Sequence, residues 1–250
     1  MLEQVDLNKL FFIDIETVPE FEHFNLLDDQ VKDLFSEKTK YKRKEEISAE
    51  DFYQNAGIWA EFGKIICISV GFFNKNASEE GEFRITSFYG EEKDLLHAFI
   101  GLLEKHFDSK EHVFCGHNIK EFDLPYIARR LLINQITLPK ELNLYGKKPW
   151  EVRHIDTMEL WKFGDYKHFT SLKLLTKVLG IESPKDQIDG SDVQSVYYKE
   201  QDLQKIITYC EKDVLAVAQV VLRLKNLPLI KPEQITHVLQ NKWIKNLQMS

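Results

Sequence analysis

LFFIDIETVPE, residues 10–20, is the stretch whose reading decides the rest of the chain. Its apolar beginning, Leu10 to Ile13, is a strand on its way into a core, and two carboxylates follow, Asp14 and Glu16. Side chains alternate along a strand, so Phe12, Asp14 and Glu16 share one face while Phe11, Ile13 and Ile15 share the other. Two neighbouring acids on a partly buried face repel each other and need cations or strong hydrogen bonds. A divalent cation meets that need, and Mg²⁺ in particular takes carboxylate oxygens and water. The alternative is a strand that surfaces here, with both acids solvated.

Beyond this stretch the pattern alternates. Strands are expected over 8–16, 64–73, 83–90, 112–117 and 154–158, each short and rich in Ile, Val or Phe or flanked by Gly. Helical spacing of apolar residues covers 91–107, 123–132, 171–179 and 200–224, and Pro232 opens a last helix expected over 232–247. Three strands followed by alternating helices and strands predict an α/β fold, a mixed sheet with helices on its faces. Residues 20–62 and 134–152 read as insertions into a single domain spanning 1–250.

Composition narrows the class. At 43% hydrophobic and 29% charged residues the chain is an ordinary globular one. No apolar run is long enough for a membrane span, and the first ten residues lack a secretory leader's pattern. Cys67, Cys115 and Cys210 are scattered, without metal-ligand spacing, so they read as core residues in a reducing, cytoplasmic setting. The net charge of −7 argues against passive nucleic-acid binding, which draws its affinity from lysine and arginine on phosphates. It leaves room for an acidic protein that meets nucleic acid through metal ions.

Two further stretches hold acids in telling places. In GHNIKEFDLPYIARR, residues 116–130, Asp123 falls at a strand-to-helix turn, where it could equally be a helix cap, and Asn118 could be a turn residue. In ITYCEKDVLAVAQVV, residues 207–221, Asp213 lies on the helix face of Ile206, Tyr209, Cys210, Val217 and Val220. An acid on a buried face is costly unless paired, and Tyr209 is its neighbour four residues earlier; a structural Asp–Tyr bond is the alternative. Strand, helix start and helix face thus each offer acids to what could be one point. Two divalent ions, about 3.5–4 Å apart, would neutralise them and clamp a phosphodiester.

FIDIET, HNIKEFD and YCEKD together resemble the three motifs of the DEDD superfamily of 3′–5′ exonucleases, on the ribonuclease H-like fold. Tyr209, four residues before Asp213, is similar to the tyrosine branch; the histidine branch would have His where Thr208 stands. The wording is similar to that of stand-alone bacterial exonucleases related to the proofreading domain of family B DNA polymerases. The resemblance covers residues 8–225. It implies a five-stranded mixed sheet with strand 2 antiparallel to its neighbours. It also implies two divalent ions, Mg²⁺ or Mn²⁺. Asp14, Glu16, Asp123 and Asp213 would be metal ligands and catalytic residues, with Tyr209 orienting the attacking water. Thr17, Asn118 and Phe122 would place the substrate.

The implied reaction is hydrolysis from the 3′ end of single-stranded DNA or DNA ends, releasing nucleoside 5′-monophosphates. RNA as the substrate, a non-catalytic nucleic-acid-binding module and a metal-free scaffold are the alternatives. Protein partners are left open: the last helix would either dock on the domain or present Trp243 and Ile244 to a partner. Lys38, Lys40, Lys42, Arg43 and Lys44 are expected to contact phosphates, or else to form a solvated loop. Trp150, among Lys147, Lys148 and Arg153, is expected to anchor its loop by packing, with base stacking the alternative.

Overall fold

The computed structural model describes residues 2–74, 81–165, 169–182 and 188–238. In chain order its elements are β1 (Leu10–Pro19), α1 (Asp29–Thr39), α2 (Ala49–Phe52), β2 (Gly63–Asn74), β3 (Glu82–Tyr89), α3 (Glu92–His106) and β4 (Val113–Gly116). There follow α4 (Asp123–Ile133), β5 (Ile155–Asp156), α5 (Thr157–Lys162), α6 (Leu172–Val178), α7 (Val193–Ser195), α8 (Leu203–Leu224) and β6 (Ile235–Val238). The sheet order is β5-β4-β1-β2-β3-β6. β2 runs antiparallel to both β1 and β3, as expected, while β4 lies parallel to β1 and β5 parallel to β4.

The alternation read in β1 sorts its side chains between two layers. Phe11, Ile13 and Ile15 enter a core built with α3 and α4, through Leu95, Leu96, Phe99, Leu124, Ile127 and Leu131. Leu10 and Phe12 face the other way, against Val214, Val217, Ala218 and Val221 of α8. Asp14 and Glu16 continue the Phe12 face, toward α8. Burying an aliphatic or aromatic side chain contributes about 1.5–3 kcal/mol. A one-residue slip of β1 would exchange the two sets between layers and drive the acids into the α3/α4 core, so its register is strongly specified.

The sheet has six strands rather than five. The helix expected from Pro232 is instead a 3₁₀ turn, Pro232–Gln234, followed by β6, which pairs parallel with β3 from Phe83↔Ile235 to Thr86↔Val238. Isoleucine, threonine and valine suit a strand, and the outer edge of β3 offers a row of backbone groups with which β6 pairs. The remainder of the expected helix, including Trp243 and Ile244, lies outside the described residues. The insertion 20–62 has a small aromatic core of its own, in which Phe35 and Tyr53 are buried beside Leu27, Ala56 and Phe62.

Candidate active site

β1 outruns its parallel neighbour. Its pairing with β4 is recorded only as far as Phe12↔Cys115, and the chain then turns away after Gly116. The turn is tight: a Cβ on Gly116 would lie 2.8 Å from the Ile13 carbonyl oxygen and 1.9 Å from Ile119 Cγ2, so no side chain fits. Beyond that point the Ile15 N–H is taken by Asp123, which accepts it on Oδ1 at 3.2 Å. Phe122, not Asp123, occupies the N-cap position of α4, and no side chain caps that helix. Asp123 is only 4% exposed, and its carboxylate bonds its own N–H as well as reaching across to β1.

A bulge marks the other edge of β1. Pairing with β2 steps from Glu16↔Cys67 to Thr17↔Ile65, leaving Ile66 as the extra residue. Bulges re-aim side chains and often lie beside active sites. Glu16 is 8% exposed, and no hydrogen bond to its carboxylate is found among the described residues. Carboxylate oxygens of Asp14 and Glu16 lie within 4.8 Å of each other and of Cys210 Sγ on α8. The Cys210 thiol donates to Asp14 Oδ2 at 3.3 Å.

The electrostatics show how close the acids stand. Burial raises the pKa of Asp14 well above the ordinary carboxylate range, and Glu16, Asp123 and Asp213 each raise it further. Burial likewise lifts Glu16, with Asp213, Cys67 and Asp123 adding to it. Asp123 is pushed up to about 7 by burial, against the opposing hydrogen bond from Ile15, with Asp156 and Asp213 contributing. Tyr209 is raised by burial first, then by Asp213, Glu16 and Asp14, and it is hydrogen-bonded to Asp213 one turn on. Thus Asp14, Glu16, Asp123, Asp213 and Tyr209, drawn from β1, α4 and α8, stand near enough to act on one another's ionisation, and Asp14 and Glu16 group most tightly, with Cys210.

The three expected substrate residues are placed differently. Phe122 packs at the margin of the α3/α4 core, its ring 5.4 Å from that of Tyr126. Asn118 takes the left-handed conformation, φ 65°, that asparagine tolerates, and its N–H donates to Asp156 Oδ1 at 2.9 Å. The Thr17 hydroxyl donates to the Gly57 carbonyl at 2.8 Å, and Tyr126 donates to the same oxygen at 2.9 Å. Thr17 therefore ties β1 to the insertion.

Asp156 is a residue that the sequence reading passed over. It is buried, and it accepts the N–H groups of Asn118, Lys120 and Met158, which fixes the turn leading into Asp123. An acid between a short buried strand and a helix, in HIDTM, was the available signal. His117 holds the same turn from outside, bonding Thr157 Oγ1 at 2.9 Å and the Thr170 carbonyl at 2.8 Å. The basic run of the insertion is less free than its sequence looks. Arg43 bonds Thr39 and the carbonyls of Ser36 and Ile47, Lys38 pairs with Glu61, and Lys42 stands over Trp59. A cleft of about 600 Å³ opens between the insertion and residues 191–199, lined by Glu22, His23, Tyr53, Tyr198 and Lys199 and by none of the clustered acids.

The donor set suits hard divalent cations. It consists of carboxylate oxygens, and that of buried Glu16 has no hydrogen-bond partner among the described residues. Burial raises the thiol pKa of Cys210, so it serves the cluster as a hydrogen-bond donor. No helix among the described residues is long and apolar enough to cross a membrane.

Comparison with known proteins agrees with this fold. Residues 58–238 match the model of a family described as a predicted 3′–5′ exonuclease related to the exonuclease domain of PolB. The match includes Asp123, Tyr209 and Asp213 and begins after Asp14 and Glu16. Among solved structures, the chain is similar to the family B DNA polymerase of the hyperthermophilic archaeon Pyrobaculum calidifontis, with a TM-score of 0.53 at 13% identity. The similarity covers 87% of this chain and 24% of the polymerase, so the chain spans about a quarter of that protein's length. No curated protein matches it. The chain belongs to the family of predicted PolB-related 3′–5′ exonucleases, and its fold is that of a polymerase exonuclease domain, ribonuclease H-like.

Proposed function

We propose that this member of the PolB-related exonuclease family hydrolyses phosphodiester bonds from the 3′ end of single-stranded DNA or DNA ends, releasing nucleoside 5′-monophosphates. The observation that carries the reading is the convergence of four carboxylates from three elements on one buried spot. Among the described residues, no lysine or arginine pairs with Asp14, Glu16 or Asp123. Acids gathered at Asp14, Glu16 and Asp123 without a lysine or arginine partner among the described residues are suited to taking a cation from solution.

Asp14, Glu16, Asp123 and Asp213 would hold divalent cations, Mg²⁺ or Mn²⁺, which stabilise charge on a scissile phosphate and make water a better nucleophile. In the metal-free protein burial and three acids oppose ionisation of the Tyr209 hydroxyl. It is placed to orient water by hydrogen bonding. Cys210 fixes the Asp14 carboxylate, and the Ile15 N–H fixes that of Asp123. Asn118 and Phe122, on the turn that Asp156 holds, would border the terminal nucleotide, and Thr17 would support that wall from behind.

The test is incubation with 5′-labelled single-stranded DNA and a matching RNA, each with Mg²⁺, Mn²⁺ or EDTA, beside Asp14→Ala. The expected result is a metal-dependent ladder shortening from the 3′ end and lost in the variant. Faster shortening of the RNA would reassign the polymer. No cleavage of either by folded, metal-supplied protein would sink the reading.

A further inference from the structure

The loop before β5 presents an indole to solvent. Trp150 is 77% exposed, Lys148 Nζ stands 5.3 Å from its ring centroid, and Tyr145 is exposed nearby in sequence. Trp150 is thus not the packed anchor expected from the sequence. Others hold the loop: Leu142 is buried in the α3/α4 core with Leu138 packed against it, and the Glu141 carbonyl bonds His154. Arg153 donates to the carbonyls of Ser109 and Lys110. An indole so exposed buries little apolar surface and adds little to the fold, while the loop beneath it is firmly seated.

Charge gathers along the same edge. Among the described residues neither Lys147 nor Lys148 is ion-paired. Arg153, Lys120 and Lys147 all act on buried His154, adding to burial in lowering its pKa to about 4. Lys120 belongs to the turn that leads into Asp123 and is itself held by Glu159. Being largely buried and paired, it adds no cation to the surface, so Lys147, Lys148 and Arg153 are the cations of this edge, beside Glu151, whose carboxylate accepts the Lys148 N–H. In a chain of net charge −7 this is a local exception.

We propose that the edge formed by Lys147, Lys148 and Trp150 is a second contact for single-stranded nucleic acid, with phosphates at the lysines and a base stacked on the indole. This rests on the exonuclease reading above. An exposed aromatic ring flanked by cations accepts any unpaired base, because every base offers a π-face, whereas bases paired and stacked in a duplex do not. The contact would act some distance from the 3′ terminus, so only strands long enough to reach it would benefit.

The experiment measures kcat and KM on unpaired oligonucleotides of about 4 and about 20 residues, for wild type, Trp150→Ala, Trp150→Phe and Lys147→Glu/Lys148→Glu. Trp150→Ala should raise KM on the long strand about tenfold, within the range stacking allows, and leave kcat and the short strand unchanged. Trp150→Phe should keep the wild-type KM. The double charge reversal should flatten the salt dependence of binding on the long strand. Asp14→Ala protein should show tryptophan fluorescence quenching by the long strand that disappears when Trp150→Phe is added. If Trp150→Ala degrades both lengths as wild type does, the second contact is overturned and the exonuclease reading stands. If wild type degrades neither and Asp14→Ala protein binds neither, both fall.

Discussion

Two buried groups of charge lie on either side of β1, and they are built in opposite ways. On one side Arg130, 5% exposed, is ringed by partners: Glu92 takes two of its nitrogens, Glu20 a third contact, and the Ala60 carbonyl another. Glu92 also accepts the Ile65 N–H at the bulge and the Asn134 amide. Those acids have a cation that the chain itself supplies. On the other side burial and neighbouring acids raise the pKa of Asp14, Glu16 and Asp123, and no lysine or arginine among the described residues answers them. The first arrangement is complete as folded and makes structure. The second is complete only with something added, which distinguishes a site from a strut.

The contrast can be broken most forcefully at the strut. Arg130→Ala leaves Glu92 buried without its charge partner and should cost about 3–5 kcal/mol of unfolding free energy, read by urea denaturation. A smaller loss, with cation affinity changed instead, would mean that the two regions are not separate. At the site, Tyr209→Phe keeps the ring and removes the hydroxyl. It should lower kcat about 10- to 100-fold with KM and thermal midpoint unchanged; an unchanged kcat would remove Tyr209 from the chemistry.

Asp14→Asn sharpens the comparison from the other direction. In EDTA it relieves repulsion and should stabilise the protein by about 1–2 kcal/mol while abolishing metal-dependent activity. Destabilisation in EDTA would show that the charge was already compensated. The smallest effect is a pH slope. Asp14, Glu16 and Asp123 have raised pKa values, so the folded state keeps protons that the unfolded chain has released. These groups cost nothing below their unfolded pKa, about 4, and destabilise increasingly as pH rises toward the folded value, about 7 for Asp123. The thermal midpoint of metal-free protein should therefore fall between pH 5 and 8, and Mn²⁺ should flatten the slope. A rising midpoint in EDTA would reverse the assignment.

Much of the site was legible because its pieces obey local periods. Alternation in β1 put Asp14 and Glu16 on one face, and the helical period of α8 put Asp213 and Tyr209 on its buried one. Asp123 was ambiguous between a cap and a cluster member. Only its bond to Ile15, 108 residues away in sequence, removes it from the cap role. Glu211 lies off the apolar stripe of α8, yet it bonds Ser87 and His237, because β3 and β6 lie under that side of the helix. Thr17 carries no periodic signal that would announce its bond to Gly57.

By itself the sequence determined the α/β class and, through the periods of β1 and α8, the shared face of Asp14 and Glu16 and the inward face of Tyr209 and Asp213; the antiparallel β2 and the place of Asp123 came from the family resemblance and from no period. Tertiary structure alone decided the sixth strand, the role of Asp156 in holding the turn before Asp123, and the exposure of Trp150. Those depend on which edges and faces meet, and a four-residue run such as Ile235–Val238 takes its conformation from the partner that needs its backbone hydrogen bonds.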